Sequence, residues 1–182
     1  MAAKSNLANM VLCLTLVSLV CAAILGGVYA LTKAPIDAAA AAEAKAAIAE
    51  VLPAGGEISE ARSSGGFEYY ASTDGGEVVA YAVKSSTNGF GGLLSLMVGV
   101  LPDGTIYNTK VLSHSETPGL GAKCTSDAKF MGQWKNMGAD KNLTVRKDGG
   151  DVDAITASTI TSRAYSLAVN QAREFVKSLQ ED

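Results

Sequence analysis

Hydroxyl-bearing and β-branched side chains crowd the segment Asp153-Ala154-Ile155-Thr156-Ala157-Ser158-Thr159-Ile160-Thr161-Ser162, immediately ahead of an amphipathic stretch. Inside a helix such residues are poor choices, because they lose rotamer freedom or bond back to the backbone. At a helix entrance they are favoured, since the first free amides there seek acceptors. The positive end of the helix dipole then stabilises an anion placed at Thr159. Taken alone, the segment is either a place where a phosphate is held or a helix cap.

A second candidate is Ser113-His114-Ser115-Glu116-Thr117-Pro118-Gly119-Leu120-Gly121. Pro118 fixes φ and Gly119 tolerates a positive φ, so Thr117 to Leu120 suits a type II turn, while Gly121 lets another group come close. His114 is the one histidine of the chain, with Glu116 two positions on. Residues so spaced share a face only in extended chain, and no nucleophile accompanies them, so no catalytic acid–base pair is assigned. Glu116 instead hydrogen-bonds a ligand or caps the turn. Of three cysteines, Cys13 and Cys21 fall in an apolar N-terminal run and Cys124 stands alone beyond it. With no CxxC and no Cys/His set, no metal site is expected.

Positioning these residues requires a scaffold, and the pattern supplies one. From Leu7 to Leu31 no residue is charged, a run longer than the ~20 residues that cross a bilayer. It reads as one retained transmembrane helix, longer than the ~7–15-residue core of a cleaved signal peptide, which is the competing reading. Lys4 before the span favours a cytoplasmic N-terminus, against Lys33 after it. Ala34-Pro35-Ile36 interrupts the pattern, and an Ala-rich juxtamembrane helix is predicted from Asp37 to Leu52. Strands are predicted over Phe67 to Thr73, Glu77 to Lys84, Leu93 to Leu101 and Thr105 to Ser113, paired into hairpins by Asp74-Gly75-Gly76 and Pro102-Asp103-Gly104. Between the hairpins, Asn88-Gly89-Phe90-Gly91-Gly92 is a loop suited to close backbone approach. A short helix follows over Thr125 to Trp134, capped by Thr125 or Ser126, and then a strand near Leu143 to Arg146. The last helix runs from about Ser162 to Leu179, with Tyr165, Ala168, Val169, Ala172, Phe175, Val176 and Leu179 on its core face. The expected fold class is α+β: an N-terminal transmembrane helix, then an antiparallel sheet flanked by helices. Fifteen basic residues against eighteen acidic ones, net −3, argue against a nucleic-acid partner.

The two motifs together, His114-Ser115-Glu116-Thr117-Pro118-Gly119-Leu120-Gly121 and Asp153-Ala154-Ile155-Thr156-Ala157-Ser158-Thr159, resemble the FMN-binding domain of the G subunit of the Rnf electron-transport complex. They are also similar to the C subunit of the sodium-translocating NADH:quinone oxidoreductase. The likeness extends to the single span, the juxtamembrane helix, the Gly89-Phe90-Gly91-Gly92 loop and the terminal helix.

In that family a flavin transferase links FMN through its phosphate to the threonine that ends the pattern Asp-x-x-(Ser/Thr)-Gly-Ala-Thr. The resemblance therefore implies covalent FMN on Thr159, with Asp153 and Thr156 matching and Ala157 and Ser158 departing from Gly and Ala. Ile160 and Thr161 follow, Thr161 being a fallback acceptor. The loop residues Glu116, Thr117, Pro118, Gly119, Leu120 and Gly121 complete the implied binding set, and Trp134, Phe130 or Phe90 are the aromatics available to stack on the ring. The implied organisation is an anchor over 1–33, a juxtamembrane helix over 34–53 and an FMN-binding domain over 54–182.

The implied role is an electron-carrier subunit of an Rnf-type ferredoxin:NAD⁺ oxidoreductase coupled to Na⁺ or H⁺ translocation, not catalytic on its own. It would sit in the bacterial cytoplasmic membrane with its domain outside, beside the other Rnf subunits. One span without an internal charge offers no ion path. The alternatives are the C subunit of the quinone reductase, or a membrane-anchored scaffold without flavin.

Overall fold

The computed structural model describes residues 7–181, so Lys4 and the α-amino group, which bear on orientation, lie outside the described residues. The chain divides into two units, Met1–Ala42 and Glu43–Asp182.

In the first unit a single helix, α1 (Leu7–Val51), covers the whole described part and continues into the second. It is long and apolar enough to cross a membrane. Toward the end of the apolar run the side chains become amphipathic. Thr32 Oγ1 donates to the Val28 carbonyl at 2.8 Å, and Lys33 lies 5.7 Å from the Tyr29 ring centroid and 3.4 Å from Asp37. Aromatic and cationic side chains of this kind mark a membrane–water boundary. The interruption expected at Ala34-Pro35-Ile36 does not occur, and Pro35 lies inside the helix. Proline removes one backbone donor but holds a helical φ, and the hydrogen bonds of the turns on either side carry the helix through.

The second unit is built on antiparallel strands. They are β1 (Glu57–Ile58), β2 (Arg62–Ser64), β3 (Phe67–Asp74), β4 (Glu77–Asn88), β5 (Leu93–Val100) and β6 (Ile106–His114), in the order β1-β3-β4-β5-β6 with β2 also on β3. Both expected hairpins form. β4 runs on to Asn88 because Lys84 to Asn88 pair with Met97 to Leu93. The polar residues there are satisfied in place: Ser86 Oγ meets Ser95 Oγ at 2.5 Å, and Thr87 Oγ1 donates to the Ala164 carbonyl at 2.8 Å. What remains of the glycine loop is the four-residue turn 89–92, closed by Gly89 N–H to the Gly92 carbonyl at 2.8 Å.

Strand alternation splits the sheet into two buried faces. Val83, Leu94, Leu96, Val98 and Val100 pack against the last helix, α3 (Thr159–Glu181), through Tyr165, Ala168, Val169, Ala172 and Val176. Ala80, Ala82 and Met97 meet Ala47, Ile48, Val51 and Leu52 on the opposite face. A Cβ on Gly99 would collide with the Val51 carbonyl oxygen, so glycine there is what lets the end of α1 seat on β5. Lys110 and Glu50, 2.8 Å apart, close the margin of this contact.

Two expectations between the sheet and α3 need correction. The short helix α2 (Ala128–Gly132) follows a 3₁₀ turn over Gly121–Thr125, and Asp127 caps it rather than Thr125 or Ser126, its Oδ1 accepting from Lys129 N and Phe130 N at 3.0 and 3.1 Å. The strand expected over Leu143 to Arg146 reduces to one parallel bridge, Val145 to Val152. Arg146 already starts a 3₁₀ turn, which Gly149 closes with φ of +87°. α3 begins at Thr159, three residues earlier than expected.

Candidate functional site

Three segments converge at one end of the sheet: the 89–92 turn, the 115–121 loop after β6, and the first turn of α3. They enclose a cleft of about 340 Å³, within the range of small-molecule sites. Its walls are Phe90 from the first segment, Glu116, Thr117, Leu120 and Gly121 from the second, and Ala157, Ser158, Thr159, Ile160 and Thr161 from the third. Nine residues of the expected binding set therefore meet across this cleft, from parts of the chain some forty residues apart.

The loop after β6 is shaped as its sequence demands. Gly119 has φ of +76°, and Leu120 N–H bonds to the Thr117 carbonyl at 3.2 Å, which closes the expected turn. Pro118 and Gly119 form its exposed tip and do not line the cleft. Glu116, 6% exposed, is the hub. Its Oε1 accepts from Phe90 N at 2.8 Å and Gly91 N at 3.4 Å, and its Oε2 accepts from Thr161 Oγ1 at 2.8 Å. Glycine surrounds it for a steric reason. A Cβ on Gly89 would meet Oε1, and one on Gly121 would meet Oε2 and come within 2.6 Å of Thr161 Oγ1. His114 Nδ1 accepts from Glu116 N at 3.2 Å, so this imidazole holds the loop rather than serving as an acid–base partner.

The α3 entrance is tied down by its own hydroxyls. Ser162 Oγ donates to the Ser158 carbonyl and accepts from Ile155 N, both at 2.9 Å. Ser158 N–H closes the turn to the Ile155 carbonyl at 3.0 Å, and Ala157, third in that turn, has φ of +62°. This is where a type II turn calls for glycine, so the departure at Ala157 places a strained residue in the motif. Thr159 is half-buried on the cleft wall. Thr161 is 1% exposed with its hydroxyl committed to Glu116, which makes it much the poorer candidate for a fallback acceptor. Ser158 Oγ is enclosed and, among the described residues, has no hydrogen-bond partner.

Asp153 and Thr156 do not line the cleft. Asp153 faces α2, 3.4 Å from Lys129 Nζ and 2.6 Å from Arg146 Nε, and the hydrogen bond from Lys129, with Arg146 adding to it, holds its carboxyl below the usual range. Gln133 fastens the same residue by its backbone, accepting from Asp153 N at 2.8 Å and donating to its carbonyl at 3.0 Å. Asp153 thus anchors the segment that carries Thr159. Thr156 is exposed in the turn.

Two of the three aromatics considered for stacking are unavailable. Trp134 is fully buried, stacked on Tyr165 at 5.1 Å, and Phe130 meets both rings edge-on within the core. Apolar side chains in and just after a short helix gave no sign of which way they would face. Phe90, 68% exposed at the cleft rim, is the one that remains. Cys124 is buried nearby, and desolvation together with the charge of Glu116 pushes its thiol up to about 11, so it stays protonated and inert.

The cleft combines apolar and backbone surfaces with a helix entrance. Its walls are apolar at the rim through Phe90, Leu120 and Ile160, bare backbone lies at Gly121, and the start of a 23-residue helix opens onto it. Among the described residues the lining includes one acidic side chain and no basic one.

Residues 89–174 match the model of the FMN-binding domain. The chain is 35% identical to the G subunit of the ion-translocating oxidoreductase complex of Methanosarcina acetivorans, over 97% of both chains. It is 42% identical to the G subunit of the proton-translocating ferredoxin:NAD(+) oxidoreductase complex of Clostridium ljungdahlii over 112 residues, 60% of each chain. Among solved structures it is similar to Shewanella oneidensis NqrC, at 25% identity and a TM-score of 0.48, covering 63% of this chain and 61% of that one.

Proposed function

The chain belongs to the G-subunit family of ion-translocating oxidoreductase complexes, and on that premise we propose that it is a membrane-anchored electron-carrier subunit holding FMN covalently through a phosphodiester to Thr159. The complex would be an Rnf-type ferredoxin:NAD⁺ oxidoreductase whose electron flow drives Na⁺ or H⁺ across the cytoplasmic membrane. The domain formed by residues 43–182 would lie outside that membrane, beside the other Rnf subunits, a second flavin-bearing one among them, after loading by a flavin transferase.

The observation that carries the reading is the position of Thr159. It is the first residue of α3, half-buried on the wall of a cleft formed by both motifs. A phosphate there meets unpaired helix amides and the positive end of the dipole. Among the described residues no basic side chain lines the cleft to hold a free nucleotide, and Glu116 adds a like charge, so retention by charge alone would be weak. An ester bond removes that difficulty: the Thr159 Oγ–P bond forms, the hydroxyl proton and one oxygen substituent of the phosphorus leave, and the chain gains FMN less water. When bound, the flavin supplies one- and two-electron transfer. Glu116 and the glycines beside it shape the wall, Phe90, Leu120 and Ile160 would offer the ring an apolar surface, and Asp153 holds the segment before Thr159 to α2.

Intact mass after co-expression with a flavin transferase is the test. A gain of FMN minus water that Thr159→Ala abolishes is expected. An unmodified wild-type chain refutes covalent attachment and leaves the scaffold reading, while a label lost only in Thr161→Ala moves the acceptor.

A further inference from the structure

Glu116 is a buried carboxylate that accepts hydrogen bonds from Phe90 N, Gly91 N and Thr161 Oγ1 and, among the described residues, has no cationic partner. It stands in the wall of the cleft where the ring system would lie. Its three donors come from two segments, the 89–92 turn and the α3 entrance, and Glu116 itself belongs to the third. One side chain therefore joins every part of the wall and leaves a negative charge there that these three donors face.

We propose that Glu116 is the positioning residue of this cleft and that its charge lowers the reduction potential of the flavin held there, an inference that rests on the flavin reading above. Reduction adds electrons to the bound group, and a fixed negative charge in a water-poor wall makes that addition less favourable. Among the described residues no basic side chain in the wall offsets it.

Two nearly isosteric substitutions separate charge from packing. In Glu116→Gln the amide oxygen still accepts from Phe90 N and Gly91 N and the amide nitrogen can donate to Thr161 Oγ1, so the joint persists while the charge goes. In Thr161→Val the charge persists and loses one of its compensating donors. Both are measured in the full-length flavin-loaded protein by spectroelectrochemical titration. Glu116→Gln should raise the potential by about 30 mV or more, the equivalent of a tenfold change in a two-electron equilibrium, whereas Thr161→Val should lower it. A purely structural joint would move both variants in the same direction or neither. An unchanged or lower potential in Glu116→Gln overturns the inference, as does a rise or no change in Thr161→Val, which decides the matter alone if Glu116→Gln does not load flavin. A wild-type chain without flavin overturns this inference and the proposed function together, whereas a flavin-bearing wild type with insensitive variants overturns this inference only.

Discussion

Ala157 offers a direct measurement of the backbone strain ahead of α3. Its φ of +62° lies in the left-handed region, which costs an L-residue about 1–2 kcal/mol relative to glycine. Ala157→Gly relieves that strain and gives back about 0.4–1 kcal/mol through the greater freedom of the unfolded chain. The net expectation is a gain of about 0.5–1 kcal/mol, or a rise in Tm of about 1–4 °C for a domain of this size. Gly119, at φ of +76° with no atom within 4 Å of an added Cβ, provides the mirror experiment. Gly119→Ala meets the same strain and no clash, so it should be less stable by about 1 kcal/mol. Both variants can be compared with the parent by thermal and urea unfolding of the detergent-solubilised chain, followed by the fluorescence of the buried Trp134. If Ala157→Gly destabilises, the positive φ at 157 is not a source of strain, and the departure from glycine has another origin.

Other consequences concern packing and charge. Gly99→Ala drives a methyl group into the Val51 carbonyl; overpacking of this kind typically costs about 1–3 kcal/mol, and urea unfolding should show a lowered midpoint with an unchanged slope. The Asp148 carboxylate is paired with Arg163 at 2.6 and 2.7 Å, and that hydrogen bonding lowers its pKa in the folded state. A lowered folded pKa stabilises fully above the unfolded value of about 3.9 and is lost as pH falls through the folded value. Asp148→Asn should therefore lose little at pH 3 relative to the parent and more at pH 6, so melting curves at the two values converge in acid; parallel curves would remove this pair from the acid response.

Much of this architecture is legible in local sequence. The apolar run, the two glycine-turn hairpins and the 3.6-residue stripe of α3 each follow from a period or a turn residue acting within about ten positions. The Thr117–Leu120 turn follows from Pro118 and Gly119 in the same way. What local patterning misread depended on partners far along the chain: β4 extends to Asn88 because its serines and threonine find Ser95, Gln171 and Ala164, and Asp127 caps α2 because its carboxylate reaches the next free amides first.

For the site, the two motifs supply two of the three segments that wall the cleft, and Thr159 as acceptor is what the resemblance implies. The division of labour among their residues came from tertiary contacts. Thr159 and Thr161 are both threonines at the same helix entrance, and only the structure shows one half-buried on the cleft and the other bonded to Glu116. Phe90, Phe130 and Trp134 are equally aromatic, and burial alone leaves Phe90 at the rim. Gly89 and Glu116 are far apart in sequence, and no local signal tells that the carboxylate occupies the space the missing side chain of the glycine leaves. Sequence determines which backbone conformations and faces are available, because those are set by neighbouring residues. Which hydroxyl is free, which ring is exposed and which carboxylate is buried is decided only when distant segments pack.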